Sequence, residues 1–294
     1  MARHCTLLAT IACVSIVTSP SADAQSAPEP GQQVALVTGS TSGLGREVAT
    51  RLGASGTHVI VHGRNRERGM EVVEAIESAG GSARFYAADL ASLDQVRRLG
   101  EALLNDYDEI NLLINNAGIA FATERSVSED GHELHFQVNY LSHFLLTAML
   151  LPRLRESAPS RIINVSSIAQ QAIDFDDVML EDSFNGGRAY AQSKLAQILH
   201  TFDLAEELEG SGVLVNALHP ATMMDTPMVL DAGYAARATT DEGADAVMQL
   251  VTSTDLGSGG YFNGLRRARA NDQAYDLEAR ARLKRLSEQL TGTR

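Results

Sequence analysis

From residue 33 onward, two spacings of apolar residues alternate along the chain. Short runs rich in β-branched and aliphatic side chains, at 34–37, 58–62, 83–87 and 112–115, have the length of buried strands. Between them, at about 44–55, 66–79 and 92–107, apolar residues recur at helical spacing, and the last of these segments opens with Ser92, Leu93, Asp94 and Gln95, a capping-box pattern. Alternating strand and helix predict βαβ units and therefore a parallel sheet. The second half continues with a long helical segment at about 129–151, strands at 161–165 and 213–218, a helix through 190–194 and another at 240–252. Residues 257–264 are glycine-rich and read as turns around Tyr261 and Phe262. At the end of the chain Tyr275, Ala279, Leu283, Leu286 and Leu290 form one helical stripe, with Arg280, Arg282 and Arg285 elsewhere. Such a stripe docks either on the domain itself or on a second subunit, which would make a homo-oligomer.

A chain of 294 residues accommodates one domain of this kind, here 33–294, behind a proline-containing linker at 25–32. With no Trp and 5% aromatic residues, its core should be aliphatic. The first 24 residues read as a signal peptide, with Arg3 and His4, an apolar-rich stretch at 6–17, and small residues ending in Ala22, Asp23 and Ala24. One arginine makes a thin start, so a leader without a targeting role is the alternative. The first reading exports the protein, to the periplasm for instance; the second leaves it cytoplasmic. The apolar stretch is too short for a membrane span. Both cysteines, Cys5 and Cys13, fall inside the leader, so the domain has no thiol for disulfide, nucleophile or metal site. A net charge of −13 argues against nucleic acid or an anionic membrane as partner.

Candidate chemistry starts where the first strand passes into the first helix, at Thr38 to Gly45, which reads T-G-S-T-S-G-L-G. Glycines at such a turn permit a sharp bend, close approach of backbone to a pyrophosphate and tight helix–strand packing. The free N–H groups at the helix start then favour an anion. Thr38, Gly39, Ser42, Gly43, Leu44 and Gly45 are thus candidate dinucleotide-binding residues, although the spacing G-x-x-x-G-x-G departs from the common G-x-G-x-x-G. After the second strand, where an NAD site usually carries a carboxylate for the ribose hydroxyls, the chain has Arg64. A guanidinium suits a 2′-phosphate, so NADP(H) is favoured and NAD(H) is the alternative. Asp89 and Leu90, after the third strand, could meet the adenine. Asn116, Ala117 and Gly118, after the fourth, suit backbone passing along a ribose.

Taken together, T-G-x-x-x-G-x-G, the Asp89–Leu90 pair, N-N-A-G at 115–118 and Y-x-x-x-K at Tyr190 to Lys194 occur in the order of the short-chain dehydrogenase/reductase family, which the chain resembles from Val34 to its C-terminus. The resemblance implies a single-domain, Rossmann-type α/β fold, a doubly wound parallel sheet with helices on both faces and nicotinamide bound at the strand C-termini. It also implies four catalytic residues: Asn139, holding a water that leads to the lysine; Ser167, with Ser166 as the alternative; Tyr190; and Lys194. Four residues apart on a helix, Tyr190 and Lys194 share a face. A free phenol has a pKa of about 10, and lowering it by ~3 units needs roughly 4 kcal/mol. A surface ion pair, worth about 0 to 1 kcal/mol, falls short of that, so the expectation is a partly desolvated Lys194 aided by the positive nicotinamide.

Where the family has Pro-Gly, this chain has Pro220 and Ala221, followed by Thr222; Pro220 and Thr222 remain cofactor-contact candidates, with the loop adjusted if a positive φ is needed there. Met223, Met224 and Met228 suit an apolar pocket or buried packing. Segments 168–188, with its acidic run Asp174 to Asp177, and 222–240 are candidate substrate loops, the first either a mobile rim or a solvated insertion. Along with K-L-A-Q-I-L-H-T-F after the tyrosine and G-G-Y-F-N-G near the end, they are similar to the retinol-dehydrogenase-like branch, which includes relatives of protochlorophyllide reductase. An apolar alcohol, aldehyde or ketone is the substrate this implies. Reduction of a polarised C=C bond or a quinone, and nucleotide sensing without turnover, are the rival readings. His135 and His143, eight residues apart, read as packing or surface histidines rather than metal ligands, so no metal site is expected.

Overall fold

The computed structural model describes residues 26–293, so the signal-peptide reading of 1–24 and both cysteines lie outside the described residues. Strands β1 (Val34–Val37), β2 (His58–Gly63), β3 (Ser82–Ala87), β4 (Leu112–Asn115), β5 (Ser160–Val165), β6 (Val213–His219), β7 (Gly260–Asn263) and β8 (Arg266–Arg267) form one sheet in the order β3-β2-β1-β4-β5-β6-β7-β8. All neighbours pair in parallel except β7 and β8. Helices are α1 (Gly43–Ala54), α2 (Arg66–Ser78), α3 (Leu93–Asp106), α4 (Ser142–Glu156), α5 (Gly186–Glu207), α6 (Pro227–Leu230), α7 (Thr240–Thr252) and α8 (Leu277–Thr291).

Residues of β1 alternate between two cores. Val34 and Leu36 join Leu99, Leu103, Leu146 and Leu150 of α3 and α4, whereas Ala35 and Val37 join Val48, Leu52, Val73 and Val247 of α1, α2 and α7. With apolar side chains on both faces, the strands are continuous hydrophobic runs, as a parallel sheet between two helical layers requires. Strand order reverses between β1 and β4, and an open α/β sheet forms its ligand crevice at the carboxyl ends of the strands there. This is the doubly wound arrangement expected.

The structure departs from expectation in five places, each for a local reason. Gly131 turns the chain at φ +85, so the helical segment expected from 129 starts later: Glu133 caps it by accepting from the N–H groups of His135 and Phe136, and a π-helix at Phe136–Leu141 precedes α4. The capping box at Ser92 does not form, because Gln95 Oε1 accepts from the Asp89 N–H and the Leu93 N–H goes to Asp130. Residues 260–263 are a strand, with Tyr261 and Phe262 buried between glycine turns. The closing helix starts at Leu277, leaving Tyr275 exposed, and docks on the domain: Arg280, expected off the stripe, is buried against Asp203 and Glu206 of α5. Segment 168–188 is solvated only in part, with an apolar side anchored on the domain. Ile173, Val178 and Leu180 are buried, and Gln273 holds both backbone polar groups of Ile173.

Candidate active site

Thr38 staples the glycine turn to the end of β4. Its hydroxyl oxygen accepts from the N–H groups of Asn116 (2.9 Å) and Ala117 (3.0 Å), and Asn116 Nδ2 donates back to the Thr38 carbonyl (2.8 Å). The approach is so close that a methyl group on Gly39, whose φ is +65, would sit 2.8 Å from Ala117 Cα; one on Gly45 would sit 2.5 Å from Asn116 Nδ2 and closer still to the Gly39 carbonyl. Gly43, at φ +52, opens α1, and Ser42 caps it without a side-chain bond, so the first N–H groups of the helix keep their capacity for an anion. Leu44 contributes backbone only, because its side chain is in the core. Leu90 is likewise buried, with its carbonyl accepting from Ser142 Oγ. Arg64 is 70% exposed, and its guanidinium approaches Asp89 at 3.4 Å; the two residues assigned separate parts of the nucleotide are therefore partners.

The catalytic candidates converge beside this turn. Asn139 lies in the π-helix, where its Oδ1 accepts from the Ile119 N–H (2.8 Å) and its Nδ2 donates to the Ile119 carbonyl (3.1 Å) and Ser193 Oγ (2.9 Å). The amide thus ties the segment after Gly118 to α5. Ser167 lies where its side chain favours the ionised Tyr190 phenol, with Oγ accepting from the Ala169 N–H (3.1 Å), whereas Ser166 Oγ is turned to the Lys194 carbonyl and donates to it (2.6 Å). That separates the two serines: Ser167 is the one brought to the phenol. Its carbonyl accepts from Tyr261 (3.0 Å) and Gln170 (2.9 Å).

Lys194 is 4% exposed, and its Nζ donates to the Val165 carbonyl (2.8 Å) and Gln197 Oε1 (3.0 Å), 5.8 Å from the Tyr190 ring centroid. Burial pushes its pKa down to about 7. Burial also pushes the Tyr190 phenol up, with the Ser167 side chain acting the other way. Desolvation thus outweighs acidification of the phenol in this arrangement, and two of the three Lys194 N–H donors are on Val165 and Gln197.

On the β6 side, Pro220 is buried, and Thr222 Oγ1 pairs with His219 Nε2 at 3.0 Å. Ala221 does not take a positive φ, whereas Met223 does, at +53. Met224 packs in the core, whereas Met228 is exposed. Phe121 and Tyr234, both exposed, stack at 4.9 Å and join the segment after Gly118 to loop 222–240.

Four residues at this site were not among the expected ones: Gln197 on Lys194, Tyr261 on Ser167, Thr226, whose methyl lies 3.1 Å from where a Gly43 side chain would begin, and His143. His143 is buried, with Nδ1 3.0 Å from the Asn139 carbonyl and Nε2 2.9 Å from Thr38 Oγ1, rather than a packing or surface residue. Helical spacing alone offered two of them, since Gln197 is three residues past Lys194 and His143 four past Asn139.

The family model for short chain dehydrogenases matches residues 33–235. Human retinol dehydrogenase 13 is 36% identical over 285 residues, covering 90% of this chain and 85% of the human protein. Among solved structures, an uncharacterised protein from Mycobacterium paratuberculosis superposes with a TM-score of 0.75 at 32% identity, over 91% of this chain and 96% of the other. A metagenomic short-chain oxidoreductase in complex with NADP gives a TM-score of 0.62 at 27% identity, over 77% and 93% of the two chains.

Proposed function

The chain belongs to the short chain dehydrogenase family and is an NAD(P)-dependent oxidoreductase acting on CH–OH or C=O groups; from that premise we propose that it uses NADP(H) and an apolar alcohol/carbonyl substrate, with Tyr190 moving the proton. The observation that carries this reading is the buried Lys194 ammonium, 5.8 Å from the Tyr190 ring centroid on one helix, with Ser167 acting on the same phenol, next to a turn with no room for side chains at Gly39 and Gly45.

The cofactor fits the residues present. Backbone at Gly39 to Gly45 and at Asn116 to Gly118 would take the pyrophosphate and ribose, and the exposed Arg64 guanidinium would take the 2′-phosphate by exchanging its contact with Asp89. NADP in the similar metagenomic oxidoreductase supports that choice. When bound, the nicotinamide supplies the two-electron redox step. The chain's own residues supply position and the proton. Ser167 Oγ hydrogen-bonds the reacting oxygen; Tyr190 donates its hydroxyl proton to that oxygen in reduction and takes it back in oxidation. Lys194 holds the ribose and stabilises negative charge on the phenol. Exposed Phe121, Met228, Leu230 and Tyr234 favour an apolar carbon skeleton, as does similarity to a retinol dehydrogenase.

A panel of apolar alcohols, aldehydes and ketones, assayed with NADPH and NADH, tests the reading, with product analysis to distinguish carbonyl from C=C reduction. We expect carbonyl/alcohol turnover, a loss of about 10³-fold in kcat for Tyr190→Phe, and a much larger loss of NADPH than of NADH affinity for Arg64→Asp. NADPH binding without turnover of any substrate in the panel would overturn the enzymatic assignment, and equal losses for both nucleotides would overturn the role of Arg64.

A further inference from the structure

His143 connects the two halves of the site through bonds that can run in one direction only. It is 2% exposed, and Lys194 and His62 face it; burial first, and those neighbours after it, push its pKa down to about 3, so the ring is neutral. Nδ1 lies 3.0 Å from the Asn139 carbonyl, which can only accept, so Nδ1 carries the ring proton. Nε2 is then an acceptor, and the Thr38 hydroxyl, at 2.9 Å, donates to it. With its proton so directed, Thr38 Oγ1 has both lone pairs for the two N–H groups it receives, from Asn116 and Ala117. The longer 3.3 Å approach to the Ile114 carbonyl is the other outlet for that proton. Flipping the ring or moving its proton to Nε2 would set donor against donor at Thr38, or leave the Asn139 carbonyl facing a lone pair.

Beyond Asn139 the bonds continue. Its amide holds both backbone groups of Ile119 and reaches Ser193, whose hydroxyl donates to the Tyr190 carbonyl (2.8 Å). Asn139 is in the π-helix, whose wider turns bond five residues on, as Ser142 N–H to Gln137 does; a ring donor from the following turn fixes the carbonyl orientation there.

We propose that His143 is a positioning residue that couples the nucleotide-binding turn to the catalytic helix: its Nε2 sets the Thr38 hydroxyl and thereby the 116–117 backbone, and its Nδ1–H sets Asn139 and thereby the segment carrying Tyr190. The coupling to turnover rests on the function proposed above; the coupling to nucleotide binding does not. A residue filling space would need neither direction.

Two half-replacements separate the roles. His143→Asn leaves an amide N–H at the place of Nδ1 and nothing that reaches Thr38; His143→Gln leaves an acceptor at the place of Nε2 and no donor on the Asn139 carbonyl. His143→Asn should raise the NADPH dissociation constant about tenfold, the scale of one neutral hydrogen bond, and leave kcat at saturating NADPH within about threefold. His143→Gln should do the reverse. Thr38→Val should cost less NADPH affinity on the His143→Asn background than in the native protein, since the two share one bond. Parallel losses in both variants, or none in either, would overturn the proposal. NADPH titration needs no substrate, so a protein that binds NADPH but turns nothing over refutes the enzymatic reading and still tests this one. Should the variants not fold, ¹⁵N spectra of the histidines in the native protein decide: Nδ1–H at His143 is expected, and Nε2–H overturns the proposal.

Discussion

The glycine turn at 38–45 and the cluster around Tyr190 lie side by side and are built by opposite means. Around the turn, side chains are missing: Gly39 and Gly45 let two stretches of backbone meet where a single methyl group would collide. Around Tyr190 the requirement is the reverse, and buried polar side chains crowd in with named partners: Lys194 with Val165 and Gln197, Asn139 with Ile119 and Ser193, Ser167 Oγ with the Ala169 N–H, while Tyr261 and Gln170 hold the Ser167 carbonyl. Subtraction makes a rigid surface that tolerates no addition. A polar network is held by many bonds and should fail gradually, one bond at a time.

The largest effect should therefore come from adding one methyl group to the turn. In Gly45→Ala the new Cβ would meet backbone at Gly39 and Asn116 Nδ2, a side-chain end held in place by its bond to the Thr38 carbonyl. We expect NADPH affinity to fall by about 10²-fold or more, with a lower Tm, since a clash that moves backbone in a packed site costs roughly 1–3 kcal/mol before any bond is lost. Near-native binding by Gly45→Ala, measured by fluorescence titration, would break the contrast.

The same contrast governs what could be read in advance. The turn occupies eight consecutive residues, so its residues were legible as a string even though the groups that crowd it, Asn116, Ala117 and Thr226, lie far along the chain. Strands β1 to β6 were legible for a similar reason, since each is a compact apolar run. Strand β7 was not, because its four residues lie between glycines and only pairing with β6 makes them a strand. In the cluster, Tyr190, Lys194, Ser167 and Asn139 were reached through resemblance, and their partners were not reached at all. The bonds from Thr38 to His143 and from Tyr261 to Ser167 span 105 and 94 residues, and only the folded sheet brings their ends together. Arg64 and Asp89 show the same limit: each was assigned alone, and the structure pairs them.

Acid should strike where the two regions are joined. His62 accepts from the Gly39 N–H at 3.2 Å, and His143 accepts from Thr38; both are buried and neutral, with burial pushing them down to about 4 and about 3. Unfolded, each would take up a proton near pH 6.5. The native state binds fewer protons between that value and the folded one, so stability is lost as pH falls from about 6.5, down to about 4 for His62 and about 3 for His143, and levels off below. At about 1.4 kcal/mol per unit, His62 alone contributes on the order of 3 kcal/mol to that loss. Tm measured from pH 7 to 4 should fall steeply and NADPH should protect, because it binds the folded turn. A flat Tm across that range would mean that neither histidine is buried neutral.

The smallest effect we expect is at Gln197, and it tests whether the cluster fails one bond at a time. Lys194 is buried with a pKa of about 7 and directs two of its three protons to Val165 and Gln197, leaving one for the ribose or the phenol. Gln197→Met keeps the volume and removes an acceptor from the ammonium, which favours the neutral amine and moves the Lys194 pKa further down. Gln197→Glu replaces the neutral acceptor with a charge and moves it up. Activity that requires the ammonium falls as pH rises through that pKa, so the alkaline limb of kcat/KM for the cofactor, which reports the free enzyme, should shift to lower pH in Gln197→Met and to higher pH in Gln197→Glu. One hydrogen bond to a charged group, worth about 1.5–3 kcal/mol, sets the first shift at roughly one to two units. At pH values well below the limb both variants should work within about tenfold of the native protein, because the Val165 carbonyl still holds the ammonium. Shifts in the same direction for both variants would mean that Gln197 acts through packing, and a collapse of activity at every pH would mean that this polar cluster is as intolerant as the glycine turn.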